Sequence, residues 1–163
     1  MFLLKGLVVS AAILGIAAAL LIVAGQLGLL EGRRPFDLGA REGRLKPCPP
    51  TPNCVCSQAT DAPHAIAPLR YEGDGAAAFA RLEALVADWP GAVIVAEGEG
   101  YLHAEVPTRW LRFVDDVELL LDPAARVIHV RSASRLGYSD LGANRRRVEA
   151  IRSRFSPSPA GAE

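Results

Sequence analysis

Two stretches of this chain carry residue types able to do chemistry. The first is "RSASRLGYSDLGANRRR", residues 131–147, which sets Arg131, Arg135, Arg145, Arg146 and Arg147 among Ser132, Ser134, Ser139, Tyr138, Asp140 and Asn144. Guanidinium groups in such company suit carboxylate or phosphate, which they hold through paired N–H donors. The second is "KPCPPTPNCVCS", residues 46–57, whose Cys48, Cys54 and Cys56 precede His64 in the same loop region. Three thiols and an imidazole are the raw parts of a Cys₃His zinc site. The spacing, C-x₅-C followed by C-x-C, fits no standard finger or ribbon. A disulfide from Cys48 to Cys54 or Cys56 is the preferred reading, with the third cysteine left as a free thiol, and no metal or cofactor is expected.

A hydrolase is weighed against these readings. Ser57, Ser132, Ser134, Ser139, His64, His103, His129, Asp115 and Asp140 offer components for one. No nucleophile elbow surrounds any of the serines, and there is no phosphate-binding loop or dinucleotide glycine pattern. Nucleic acid is excluded as a general partner because eighteen basic residues balance eighteen acidic ones, leaving zero net charge to drive counterion release.

The elements that position these residues are read from pattern. Leu7 to Leu30 is apolar, Gly or Ala apart from Ser10 and Gln26. As a helix it reaches roughly 36 Å, enough for a bilayer core. Residues 1–30 are therefore an uncleaved membrane anchor, a cleaved signal being the competing reading. The five basic residues between Arg33 and Lys46 would hold the C-terminal domain in the cytoplasm under the positive-inside rule. The signal-like start and clustered cysteines favour the opposite, a single-pass inner-membrane protein with a periplasmic domain. Residues 31–61 read as a tether and cysteine loop, 62–156 as the domain and 157–163 as a disordered tail.

Within the domain, "HAIAPLRY" makes a short strand, and Asp74 caps a helix over about 76–89 with Phe79, Leu82, Val86 and Trp89 on one stripe. Strands come next at about 92–97, 101–107, 112–121 and 126–134, then a helix over about 139–155. The order β-α-β-β-β-β-α predicts an α+β fold with an antiparallel sheet of four to five strands, resembling helix-grip and TATA-binding-protein topologies.

Pairing the last two strands about "DPAA" puts Leu121 opposite Arg126, Val117 opposite Val130 and Asp115 opposite Ser132. Asp116, Arg131, Glu118 and His129 then form cross-strand ion pairs on a solvated face. Asp115 shares the apolar face and needs a partner from Ser132, Ser134 or Arg135. Asn144 falls on the apolar stripe of the last helix with Leu141, Val148, Ile151 and Phe155, so it must be hydrogen-bonded.

These residues also carry a family resemblance. The blocks "CPPTPNCVCS", "FVDDVE" and "VRSASRLGYSDLGANRRRVEAIR", with the lead-in "RRPFDLGAREGRLKPCP", resemble the bacterial and plastid family known as domain of unknown function 1499, in particular its membrane-anchored members. The resemblance covers about residues 35–155. It implies a small domain with no established activity, substrate or cofactor, and so carries over no catalytic residue. This chain departs from the pattern at Cys56, where the family's loop usually has serine.

The leading functional reading is a non-enzymatic, membrane-anchored domain that binds a small anionic or amphipathic ligand, a lipid included, or an anionic group on a partner. The binding residues would be Asp115, Arg131, Ser132, Ser134, Arg135, Tyr138, Asp140, Asn144 and Arg145, converging at one corner where Arg135 faces an open pocket. The alternatives are a hydrolase or thiol-dependent enzyme using Cys48–Ser57 and His64, and a scaffold whose arginine corner is purely structural.

Overall fold

The computed structural model describes residues 2–155; the tail expected over 157–163 lies outside the described residues. Helix α1 (Phe2–Gln26) contains an apolar stretch, Lys5–Gln26, long enough to cross a membrane, and it stands clear of the rest of the chain except at its last turn, where Gly25 is buried. The remaining elements are β1 (Cys54–Cys56), β2 (Leu69–Arg70), α2 (Gly75–Ala87), β3 (Val93–Gly98), β4 (Tyr101–Pro107), β5 (Val114–Asp122), β6 (Val127–Ser134) and α3 (Ala143–Phe155). The fold is α+β. Its antiparallel sheet has the order β1-β6-β5-β4-β3, with β2 also paired to β6. The sixth strand comes from the cysteine loop, whose prolines leave room for three residues at an edge, a position where missing N–H donors are tolerated.

Asp74 caps α2 by accepting a bond from the Ala77 N–H. Phe79, Leu82 and Val86 of α2 and Val148, Ile151 and Phe155 of α3 bury one face of the sheet, against Leu102, Ala104, Leu119, Ile128 and Val130. Leu141, expected on the α3 stripe, lies outside the helix at positive φ and is 84% exposed. Helix α3 starts at Ala143 because Asp140 holds the preceding turn, accepting from the Gly142 and Asn144 N–H groups.

The register of β5 and β6 differs from the expected pairing by two residues. Leu121 pairs with Ile128, Val117 with Ser132 and Asp115 with Ser134. The turn keeps four residues but lies one position further along than "DPAA", at 123–126, and closes on Arg126 in the left-handed region, while the Asp122 carboxylate accepts from the Ala125 N–H. A slip of two leaves every side chain on its own face, since faces alternate with period two.

The second face of the sheet is not solvated. Residues 34–48 lie across it: Arg34 binds Glu105, the Gly39 N–H binds Glu118, and Leu45 packs with Cys56 of β1 on Leu120. Asp116, Glu118 and Arg131, expected in water, are at most 5% exposed. Cross-strand alternation predicts which face a residue takes; whether other chain covers that face is decided elsewhere in the sequence.

Candidate functional site

The sheet divides the arginine-rich corner into two separate clusters. On the helix face, Asn144 is wholly buried and every hydrogen-bonding atom of its side chain is engaged. Its Nδ2 donates to the Asn53 carbonyl at 3.0 Å and to Ser134 Oγ at 2.9 Å. Its Oδ1 accepts from Ser132 Oγ at 2.6 Å and from Arg147 at 2.8 Å. Arg147 also pairs with Asp115. The partner that Asp115 requires is thus Arg147, one turn along α3 from Asn144, and not Arg135. The signal was in the sequence, because Asn144, Arg147 and Val148 share one helical face.

On the opposite face runs a ladder of buried charges. Glu118 Oε2 accepts from Arg131 at 3.0 Å, and Oε1 accepts from the Tyr101 hydroxyl and the Gly39 N–H, both at 2.9 Å. Burial together with the Glu118 charge pushes the Tyr101 phenol well above its ordinary pKa. Beside it, Asp116 is held by Arg135 through Nε at 2.9 Å and Nη2 at 2.7 Å, and by His103 Nε2 at 2.7 Å. Arg135 also reaches Glu105, which Arg34 binds from the covering segment. Burial alone would raise the Asp116 and Glu105 carboxyls. The bonds from Arg135, with His103 on Asp116 and Arg34 on Glu105, outweigh it and hold both below the usual range.

Contrary to the expectation from sequence, Arg135 does not face an open pocket; its side chain is 5% exposed and paired with Asp116 and Glu105. Arg145 bonds the carbonyls of Ala65 and Pro63, and Arg146 bonds that of Leu141. Of the nine residues expected to bind a ligand, Asp115, Ser132, Ser134 and Asn144 come together, whereas Arg131 and Arg135 sit behind the sheet. Alternating side chains cannot share a face, so one strand's arginine and serine are parted by the backbone. Asp140 caps α3, and backbone bonds hold its carboxyl low against burial. Tyr138 is 74% exposed.

Next to the helix-face cluster is an open groove of about 270 Å³, between the 108–113 hairpin loop and the 135–142 segment. Phe113, Leu136, Leu141 and Ala143 supply most of its walls, and Asp115, Ser134 and Asp140 supply polar edges. No arginine lines it, so an anion finds no partner there among these residues. Leu136 and Thr108 escaped the sequence reading because single residues in loops carry no periodic signal.

In the cysteine loop, Cys48 and Cys54 form a disulfide with Cα atoms 5.7 Å apart, and Cys56 remains a buried thiol whose pKa burial raises. His64 does not join them. Its ring nitrogens contact Asp61 and the Thr51 carbonyl, and the Asp61 bond raises its pKa. Among the described residues there is no group of three or more His, Cys, Asp or Glu placed to hold a metal ion. Ser57 instead meets His129, Oγ to Nδ1 at 3.1 Å, with Asp122 at 3.6 Å from Nε2.

A family model described as "Protein of unknown function (DUF1499)" matches residues 44–155, more than half of the chain. No curated protein and no solved structure matches.

Proposed function

The chain belongs to the DUF1499 family of proteins of unknown function, and from that premise we propose that it is a membrane-anchored binding module for an amphipathic ligand. The ligand's apolar part lies in the groove between the 108–113 and 135–142 loops, and its hydrogen-bonding part meets Ser134 and Asp140. The observation that carries this reading is the groove's mainly apolar wall beside a cluster already rigid through Asn144. At about 270 Å³ it sits just under the range of roughly 300–1,000 Å³ common for small-molecule sites, which suits one short chain segment. The anionic alternative loses support because Arg131, Arg135, Arg145 and Arg147 are all engaged by protein partners. We further propose that α1 holds the domain to the inner membrane from the periplasmic side, supported by the Cys48–Cys54 disulfide, a bond suited to an oxidising compartment.

The test uses the full chain in vesicles with a photoactivatable monoacyl phospholipid as probe. Saturable labelling is expected within 108–113 and 135–143. Ala143→Trp, which fills the groove, is expected to weaken it by about tenfold or more, equivalent to ~1.4 kcal/mol. Labelling confined to α1, or unchanged in Ala143→Trp, overturns the reading.

A second reading keeps the hydrolase but moves its base from His64 to His129, on the Ser57–His129–Asp122 alignment. It is weaker. Asp122 is beyond hydrogen-bond distance, and Ser57 Oγ already accepts the Val130 N–H. Labelling of Ser57 by a fluorophosphonate, abolished in His129→Ala, would favour it.

A further inference from the structure

The end of the domain bearing the groove is joined to the end of the apolar helix. Lys5–Gln26 spans about 33 Å at 1.5 Å per residue, close to the thickness of a bilayer's hydrocarbon core, so Gln26 emerges at the headgroup level. There Gln26 Nε2 donates to the Trp110 carbonyl at 3.2 Å. Gly25, the one buried residue of that last turn, lies so close to Leu111 that any side chain would strike its backbone. The 108–113 loop therefore rests on the final turn of the span.

The second loop reaches the same level. Gly32, just beyond the helix, approaches Arg135 and Leu136 closely enough that a Cβ would lie 2.9 Å and 3.0 Å from their side chains. Glu31 lies 3.9 Å from Arg112 and ties the helix exit to the first loop once more.

Both loops turn large apolar side chains outward. Trp110 is 61% exposed, Leu136 44%, Tyr138 74% and Leu141 84%. Water is a poor solvent for such a group, whereas Trp and Tyr are favoured at membrane interfaces, where an apolar ring and a polar atom are both satisfied. Arg109 stacks over the Trp110 ring at 4.8 Å, which leaves its N–H groups for phosphate.

We propose that this face, formed by Trp110, Leu136, Tyr138 and Leu141 with Arg109, is a membrane-docking surface that seats the domain on the phospholipid headgroup layer. Its partner is the bilayer itself. The seating stands whether or not the groove binds a ligand, because it rests on the helix exit and the outward side chains alone. It also limits the domain's tumbling on its anchor to one orientation, loops down and sheet turn 122–126 away.

The experiment reads tryptophan depth in the full chain reconstituted in phosphatidylcholine and phosphatidylglycerol vesicles. Trp89→Phe leaves Trp110 as the sole tryptophan. Adding Trp110→Phe and Tyr138→Trp moves the reporter to the second loop, at an exposed site that accepts the larger ring. In both chains, lipids brominated near the headgroup are expected to remove most of the emission, and aqueous iodide little of it. Emission open to iodide and untouched by brominated lipid overturns the proposal, as does protection from both quenchers, which would indicate a protein partner on this face. Quenching at Trp110 but not at position 138 also overturns it, because only the helix exit would then touch lipid.

Discussion

Arg135→Ala removes the guanidinium that grips Asp116 through two bonds and also binds Glu105. Asp116 is 2% exposed, so water cannot replace what is lost. Two unit charges about 4 Å apart at an effective dielectric constant near 20 interact by about 4 kcal/mol. Breaking a buried pair by removing one partner costs about 3–5 kcal/mol. His103 keeps its contact with Asp116, which places the expected loss at the lower end, about 3 kcal/mol. For a folded body of this size that is a fall in Tm of roughly 10–15 °C. The assay is thermal unfolding of the full chain in detergent, monitored by near-ultraviolet circular dichroism. Acidity supplies the sign. The folded carboxyls of Asp116 and Glu105 lie below their ordinary values, so their stabilisation is complete above the unfolded pKa of about 4 and is lost as pH falls through the lower folded values. The gap between the native chain and Arg135→Ala is therefore full at neutral pH and closes in acid. Asp116→Asn added to Arg135→Ala recovers about 1–2 kcal/mol, since a neutral amide costs less to leave unpaired. A Tm within ~3 °C of the native chain at neutral pH, equivalent to under ~1 kcal/mol, refutes the reasoning. A gap that persists in acid does so as well.

Asn144→Ala leaves the Asn53 carbonyl and two serine hydroxyls short of a partner in the core, and is expected to lower stability by about 2–4 kcal/mol in the same melts; a loss below ~1 kcal/mol would show that these groups find other partners. Native-state alkylation is expected to leave Cys56 unmodified, and denaturation without reductant to expose one thiol, with Cys48 and Cys54 labelled only after reduction; mass spectrometry counts the adducts. The Asp61 bond raises the His64 pKa, so its contribution to stability is complete below the unfolded value of about 6.5 and lost as pH rises through the folded one. His64→Gln is accordingly expected to differ most from the native chain in mild acid and to converge with it above neutrality. A reporter active only outside the cytoplasm, fused after Phe155, is expected to be active; activity of a cytoplasmic reporter instead would reverse the proposed orientation.

Local pattern carried much of the architecture. The apolar run of α1, the Asp74 cap, the meander β3 to β6 and the burial of Asn144 all depend on periods of two or 3.6 residues and on side chains next to each other in the chain. Such features are decided within a dozen residues, so they are readable without the fold. The same alternation put Asp115 on the apolar face, even though the β-turn was placed one residue early.

What the tertiary structure alone decided involves residues far apart in sequence. Residues 34–48 lie over the second face of the sheet, and this converts Asp116, Glu118 and Arg131 from surface charges into a buried ladder. No periodicity in β5 or β6 records that cover, because a strand with polar residues on one face reads alike whether water or chain lies against it. The choice of Cys54 over Cys56 as the partner of Cys48, and of His129 over His64 as the neighbour of Ser57, comes from β1 adding to the edge of β6. The groove and the docking face exist only because two loops, some thirty residues apart, meet at the end of one helix. Loop side chains acquire neighbours from the packing of the elements that carry them, and that packing is a property of the whole chain.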